Sequence, residues 1–275
     1  MTRLPMYRRG RLQGFAGAFS SELIKLRQST YWICAAAMAA FMAITMVIAV
    51  PGPEVTSDRG PAGLVLSSEA LTASDGLGRS LGNSITFIGI VTLTVVAINV
   101  GSEYNHGVIR NLLVRQPHRT RLFFGKITAL MGYLTVAVVL ASTCGAVLAE
   151  LLAGSDVETG AWWTRAGLAA SAGGMGNVVV ATWGWAAFGI ALAMLLRSAP
   201  ATIGVGVAYA LPVEILLVEL SDDLSRWLPG QLFQSLARGG SESVDHTGAL
   251  VGSLGWTAAA TVLALLVFRY RDVPD

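Results

Sequence analysis

The sequence predicts an all-α membrane protein with six transmembrane helices and both termini on the cytoplasmic side. Three observations carry this. Of 275 residues, 53% are hydrophobic and 13% charged, whereas soluble domains carry about 25% charged residues. Six apolar runs each approach the roughly 20 residues that a helix needs to cross a bilayer. Basic residues alternate between the intervening segments. Fourteen of the 19 lysines and arginines (Arg3, Arg8, Arg9, Arg11, Lys25, Arg27, Arg110, Arg115, Arg119, Arg121, Lys126, Arg197, Arg269 and Arg271) fall on one side of the spans. Only Arg59, Arg79, Arg165, Arg226 and Arg238 fall on the other. By the positive-inside rule the first set is cytoplasmic, which requires an even number of spans in a cell membrane.

Residues 1–30 form a cytoplasmic N-terminus. Within it Leu12, Phe15, Phe19, Leu23 and Leu26 recur at spacings of three and four, with Ser21 and Lys25 on the opposite face. That is the pattern of an amphipathic helix lying in the membrane interface. The first span is 31–50, anchored by Tyr31 and Trp32 and stopped by Pro51-Gly-Pro53. Residues 54–82 read as a polar outer loop. The second span, 83–101, carries Ser84, Thr86, Thr92, Thr94 and Asn99. These groups need partners in lipid, so this helix faces other helices or a cavity.

Residues 101–121 are too basic to stay in hydrocarbon and form a loop at the membrane surface. Val108, Ile109, Leu112 and Leu113 recur as one face of a short helix between the breakers Gly107 and Pro117, with Arg110 and Asn111 turned away. Such a helix, held between two spans, can pass force between the membrane part and a docked partner; a loop that only fixes topology is the alternative.

The third span is 126–152, with Glu150 at its outer end. A short loop carrying Asp156, Glu158 and the interfacial pair Trp162-Trp163 follows. The fourth span, 173–196, starts among Gly173, Gly174 and Gly176. Arg197-Ser-Ala-Pro200 turns the chain into the fifth span, 201–220, which contains Pro212, Glu214 and Glu219. An ionised Glu214 must face water, a basic partner or a cavity. Residues 221–247 are acidic but include Trp227, Leu228, Leu232, Phe233 and Leu236, which predicts a helix dipping into the outer leaflet. The sixth span is 248–268, and 269–275 form a cytoplasmic tail.

Several chemistries are excluded. Cys34 and Cys144 lie inside apolar runs and read as small residues of the spans. His106, His118 and His246 lack metal-ligand spacing, so no metal site is expected. Gly125-Lys126 is not a phosphate loop, because Thr120 stands where a glycine is needed and Ile127 where a hydroxyl residue is needed. No protease or other catalytic arrangement is visible, so the chain is expected not to be an enzyme and to hold no cofactor. Nothing suggests nucleic-acid binding.

The central loop carries a recognisable pattern: Glu103-Tyr-Asn-His-Gly-Val-Ile-Arg110, Leu112-Leu-Val-Arg115-Gln-Pro117, Arg119-Thr-Arg121, then Gly125-Lys126. It resembles the permease subunits of type-2 ATP-binding-cassette (ABC) exporters. Ser21-Glu-Leu-Ile-Lys25-Leu-Arg27, Arg197-Ser198 and Trp227-Leu-Pro229 agree in order, so the resemblance covers nearly the whole chain.

The resemblance implies a coupling helix at residues 107–114 entering a groove on an ATPase subunit, with Glu103, Gly107, Val108, Ile109, Arg110, Leu112, Leu113 and Arg115 as the coupling residues. Glu103 would fix the loop against a neighbouring basic residue. Residues 12–29 would be the interfacial connecting helix and 225–238 an outer re-entrant segment. Two cytoplasmic ATPase subunits, binding ATP and Mg, would join this permease and a second permease copy, identical or not. Second and fifth spans would line the substrate path, with Thr86, Thr92, Asn99, Tyr209 and Glu214 as candidates. Apolar spans with few fixed charges suit an amphipathic drug, lipid or peptide. A secondary transporter or channel using Glu150, Glu214 or Glu219 stays open as an alternative, as does a membrane scaffold or sensor.

Overall fold

In lipid, backbone polar groups must be satisfied within the segment, so an apolar chain of this kind is driven into helices. The computed structural model describes residues 11–49, 55–56, 65–66, 72–105, 119–153, 158–241 and 243–270. It holds six helices long and apolar enough to cross a membrane. The predicted coupling segment 107–114 lies outside the described residues.

Helix α1 (Arg11–Lys25) turns into α2 (Ser29–Ala49), the first span. Two-residue strands β1 (Val55–Thr56) and β2 (Val65–Leu66) pair antiparallel, Val55 opposite Leu66. Next comes α3 (Gly76–Gly82). The second span comprises α4 (Ile85–Val96), a π-helical turn at Ala97–Gly101 and α5 (Ser102–Asn105). The third and fourth spans are α6 (Arg119–Ala153) and α7 (Arg165–Leu196). The fifth is α8 (Ala199–Ala208), a second π-helical turn at Tyr209–Val213 and α9 (Glu214–Leu220). Short α10 (Asp222–Ser225) and α11 (Pro229–Ala237) precede α12 (His246–Tyr270), the sixth span.

The fourth span stands at the centre, packed on α4, α3, α11 and α12, while the first and third spans form a second extensive pairing. Lipid tails are as apolar as leucine, so close approach at small residues decides such packing. A Cβ on Gly174 would sit 2.7 Å from the Gly78 Cα, whereas Gly173 and Gly176 have nothing within 4 Å. The fifth span touches the rest through a narrow stripe, Thr202, Gly206, Ala210 and Glu214, all buried.

Several elements depart from the sequence reading. The fourth helix begins at Arg165 because Thr164 caps it, accepting from the Gly167 N–H at 3.0 Å; the glycines that follow do not interrupt it. The third begins at Arg119, so Arg119 and Arg121 belong to a helix rather than a loop. Residues 76–82, read as part of a polar loop, are a buried helix between α2, α6, α7 and α11. On α1 the faces differ from expectation: Ala18 and Glu22 are buried and Lys25 turns inward, while Leu23 and Ile24 are exposed. The close seat of Ala18 against Gly125 sets this rotation. Between the fourth and fifth spans, Arg197 takes a left-handed conformation (φ 53°) and Ser198 caps α8, so two residues reverse the chain.

Candidate functional site

Where the second span reaches the end of the bundle that holds α1, four charged side chains meet in the interior. Glu22 and Lys25 come from successive turns of α1, Glu103 from α5, and Lys126 from the second turn of the third span. Lys126 Nζ lies 2.8 Å from Glu22 Oε1 and 2.6 Å from Glu103 Oε1. Lys25 Nζ reaches the same Glu103 oxygen at 2.6 Å and Glu22 Oε2 at 3.3 Å. Two carboxylates therefore balance two ammoniums.

Asn99, one helical turn before Glu103, completes the cluster. Its Nδ2 donates to Glu22 Oε2 at 3.1 Å and to the Tyr31 hydroxyl at 3.3 Å. Its carbonyl accepts from Lys25 Nζ at 3.1 Å. That carbonyl lies in the π-helical turn, where widening of the helix disturbs the usual hydrogen-bond ladder. Glu22, Glu103, Lys126 and Asn99 are all at least nine-tenths buried. Unpaired charges at such depth would be costly, and mutual pairing is what permits them. Burial alone would push the Glu22 carboxyl up, but Lys126 and Lys25 outweigh it and hold it below its ordinary value. Burial would likewise lower Lys25, and the Glu103 and Glu22 carboxylates instead hold it above its ordinary value.

The cluster joins α1, the foot of the first span through Tyr31, the end of the second and the start of the third. Nearby, Arg119 Nη1 donates to the carbonyls of Phe268 at 3.3 Å and Arg269 at 3.2 Å, favourable for a cation at a helix C-terminus. The Arg197 guanidinium lies 5.7 Å from the Tyr104 ring centre. Both flanks of the basic loop are thus anchored: Glu103 and Tyr104 before it, Arg119 and Lys126 after it.

The structure separates the predicted path residues. Thr86 and Thr92 are buried in the interior, and the Thr92 hydroxyl finds no partner among the described residues. Asn99 belongs to the charge cluster. Tyr209 stands in the second π-helical turn against Phe188, their ring centres 5.1 Å apart. Glu214 is 1% exposed and its Oε1 accepts from the Gln231 N–H at 2.7 Å. It therefore caps α11 from outside, and the positive end of that helix favours a carboxylate there. Gly230 lets the carboxylate approach, since a Cβ there would lie 2.2 Å from Glu214 Oε2. Of the other acids, Glu150 accepts from Thr159 and Trp163, and Glu219 is exposed.

Sequence reasoning missed Glu22 and placed Lys25 on the outer face of its helix. The available signal was an acid and a base three residues apart, and one helical turn from a buried Leu26. Of the predicted coupling residues, Glu103 lies in this cluster; Gly107, Val108, Ile109, Arg110, Leu112, Leu113 and Arg115 fall outside the described residues.

A family model described as "ABC-2 family transporter protein" matches residues 18–213. That range contains every member of the charge cluster and ends one residue before Glu214. No curated protein matches the chain.

Proposed function

Because the chain belongs to the ABC-2 family of transporter proteins, a multi-pass membrane component of an ABC transporter, we propose that it is the permease of an exporter driven by a separate ATPase subunit. Both termini and residues 103–121 face the cytoplasm of a cell membrane. Two ATPase subunits bind ATP and Mg, and residues 107–114 dock into a groove on each. Two permease copies complete the unit; the fifth span, exposing Val205, Val213, Ile215, Leu216 and Leu220, offers an apolar face to the second copy or to lipid. The cargo is an amphipathic drug, lipid or peptide.

The observation that carries this reading is the charge cluster at the flanks of the loop. ATP binding draws the ATPase subunits together, and docked loops move with them. A displacement of residues 107–114 reaches Glu103 on one side and Lys126 on the other. Through Glu22, Lys25 and Asn99 it passes to α1 and the second span as one body. Paired charges suit this work, because a pair that is costly to separate moves together. Farther along, the π-helical turn with Pro212 gives the fifth span a place to bend, and Glu214 links that bend to α11. Access then switches by tilting of spans, with cargo bound more tightly in one state than in the other. The test is whether an ABC ATPase co-purifies with the chain and is lost when Leu112 becomes Asp.

A further inference from the structure

At the end of the bundle opposite the charge cluster, beyond the residues that the family model matches, lies a polar pocket. It is formed by the turn after the fifth span, α11 and the turn at Gly239-Gly240. The cavity measures about 40 Å³ and is lined by Arg226, Gln231, Ser235, Arg238, Ser241 and Ser243. Liquid water takes about 30 Å³ per molecule, so a group larger than one water fits. The turn is built for this shape: Gly239 and Gly240 have φ of 83° and 121°, and the Gly240 N–H donates to the Ser235 carbonyl at 2.8 Å. It brings three hydroxyls together, Ser235 to Ser241 at 3.0 Å and Ser241 to Ser243 at 3.2 Å.

Nearly everything that this lining can offer a ligand is a donor. Arg238 is nine-tenths buried. The Gln231 side-chain amide nitrogen is buried without an acceptor among the described residues, while its backbone N–H is taken by Glu214. No carboxylate lines the pocket among those residues. Asp223 stands 3.7 Å from Arg226, with its own side chain 92% exposed. Two guanidiniums, an amide and hydroxyls converging on one space match an oxyanion, since guanidinium forks bind phosphate through paired hydrogen bonds. The neighbouring surface sets the depth. Leu220 and Trp227 are 77% and 70% exposed, and the Trp227 carbonyl accepts from Trp256 Nε1 at 2.9 Å. Exposed tryptophans at the end of a span mark the headgroup level.

We propose that this pocket binds a phosphate-type oxyanion, with a phospholipid headgroup as its natural source. The site needs only the geometry above; the leaflet that it faces, the outer one, rests on the orientation proposed for the permease.

The test uses the full chain, purified and delipidated in a neutral detergent. Native mass spectrometry compares phosphatidylglycerol with phosphatidylcholine of the same acyl chains, and thermal unfolding compares phosphate with chloride at equal ionic strength. Wild type should retain phosphatidylglycerol about tenfold more tightly than phosphatidylcholine, equivalent to one good charge-assisted contact. Arg226→Gln, at the exposed rim, should remove most of that preference, and Arg238→Gln the rest. Stabilisation by phosphate, lost in Arg226→Gln, without a lipid preference supports the same site with a soluble source. Should Arg238→Gln fail to fold, Arg226→Gln alone decides. Equal binding of both lipids together with indifference to phosphate overturns the proposal, as does a preference that Arg226→Gln leaves intact. Neither readout involves transport or an ATPase, so this outcome is independent of the permease reading.

Discussion

Lys126 and Glu103, 23 residues apart on either side of the basic loop, bring their charged groups to 2.6 Å in the protein interior. Their union with Glu22 and Lys25 closes that loop at its base. The cluster is neutral only as a set, and this makes it testable by charge reversal. Glu103→Lys leaves three ammoniums around one carboxylate. Breaking a buried pair costs about 3–5 kcal/mol, so thermal unfolding in detergent should drop sharply. Adding Lys126→Glu restores two charges of each sign and should recover most of the loss. A double variant no more stable than the worse single one would show that the pair does not act as a unit.

The pH dependence follows from the two shifts in α1. Glu22 is held below its ordinary 4.5, so its stabilisation is complete above that value and disappears as pH falls through the lower folded value. Lys25 is held above its ordinary 10.5, so its stabilisation is complete below that value and disappears as pH rises through the higher folded value. Hydrogen exchange in α1, corrected for intrinsic rates, should stay level between these limits and rise only outside them. A midpoint near neutrality would contradict this account of the cluster.

Glu214 caps α11 across the gap between two elements. Glu214→Ala removes a charge-assisted bond and should cost about 1.5–3 kcal/mol. Glu214→Gln keeps an acceptor and should cost less, leaving assembly intact while changing transport or cargo-stimulated ATP hydrolysis. Gly230→Ala should mimic the alanine variant, because its Cβ displaces the carboxylate. Exchange at the amides of residues 230–232 reports the cap directly; unchanged exchange in Glu214→Ala would remove the residue from this role.

The three glycines of the fourth span separate packing from helix propensity. Gly174→Ala forces its Cβ against Gly78 and should destabilise by about 1–3 kcal/mol. Gly173→Ala meets open space and should be neutral or stabilising by up to about 1 kcal/mol. Equal effects at the two positions in thermal unfolding would contradict the tight crossing of α3 and the fourth span.

The spans were legible because hydropathy acts locally: lipid forces an apolar run of sufficient length into a helix, whatever it packs against. Their ends were not, since Thr164 capping Gly167 and Arg119 reaching Phe268 and Arg269 are decided by partners that periodicity does not record. Helix α3 escaped notice because seven residues rich in glycine and serine carry no apolar period; only the face of the fourth span explains their burial. Glu103 could be singled out beside a basic loop, but its partners lie 23 and 78 residues away. Lys25 was misplaced because a lysine on an amphipathic helix is normally a solvated one. Here the seat of Ala18 on Gly125 rotates it inward.

The central claim, that residues 107–114 dock an ATPase subunit, is tested most directly by co-purification of that subunit with tagged wild type, Arg110→Ala and Leu112→Asp. A buried apolar side chain contributes on the order of 1.5–3 kcal/mol, and an exposed ion pair about 0–1 kcal/mol. Leu112→Asp also places a charge in an apolar groove, so it should release the ATPase while Arg110→Ala largely retains it. Retention of the ATPase by Leu112→Asp at the wild-type level would contradict the claim and leave the loop as a topology anchor.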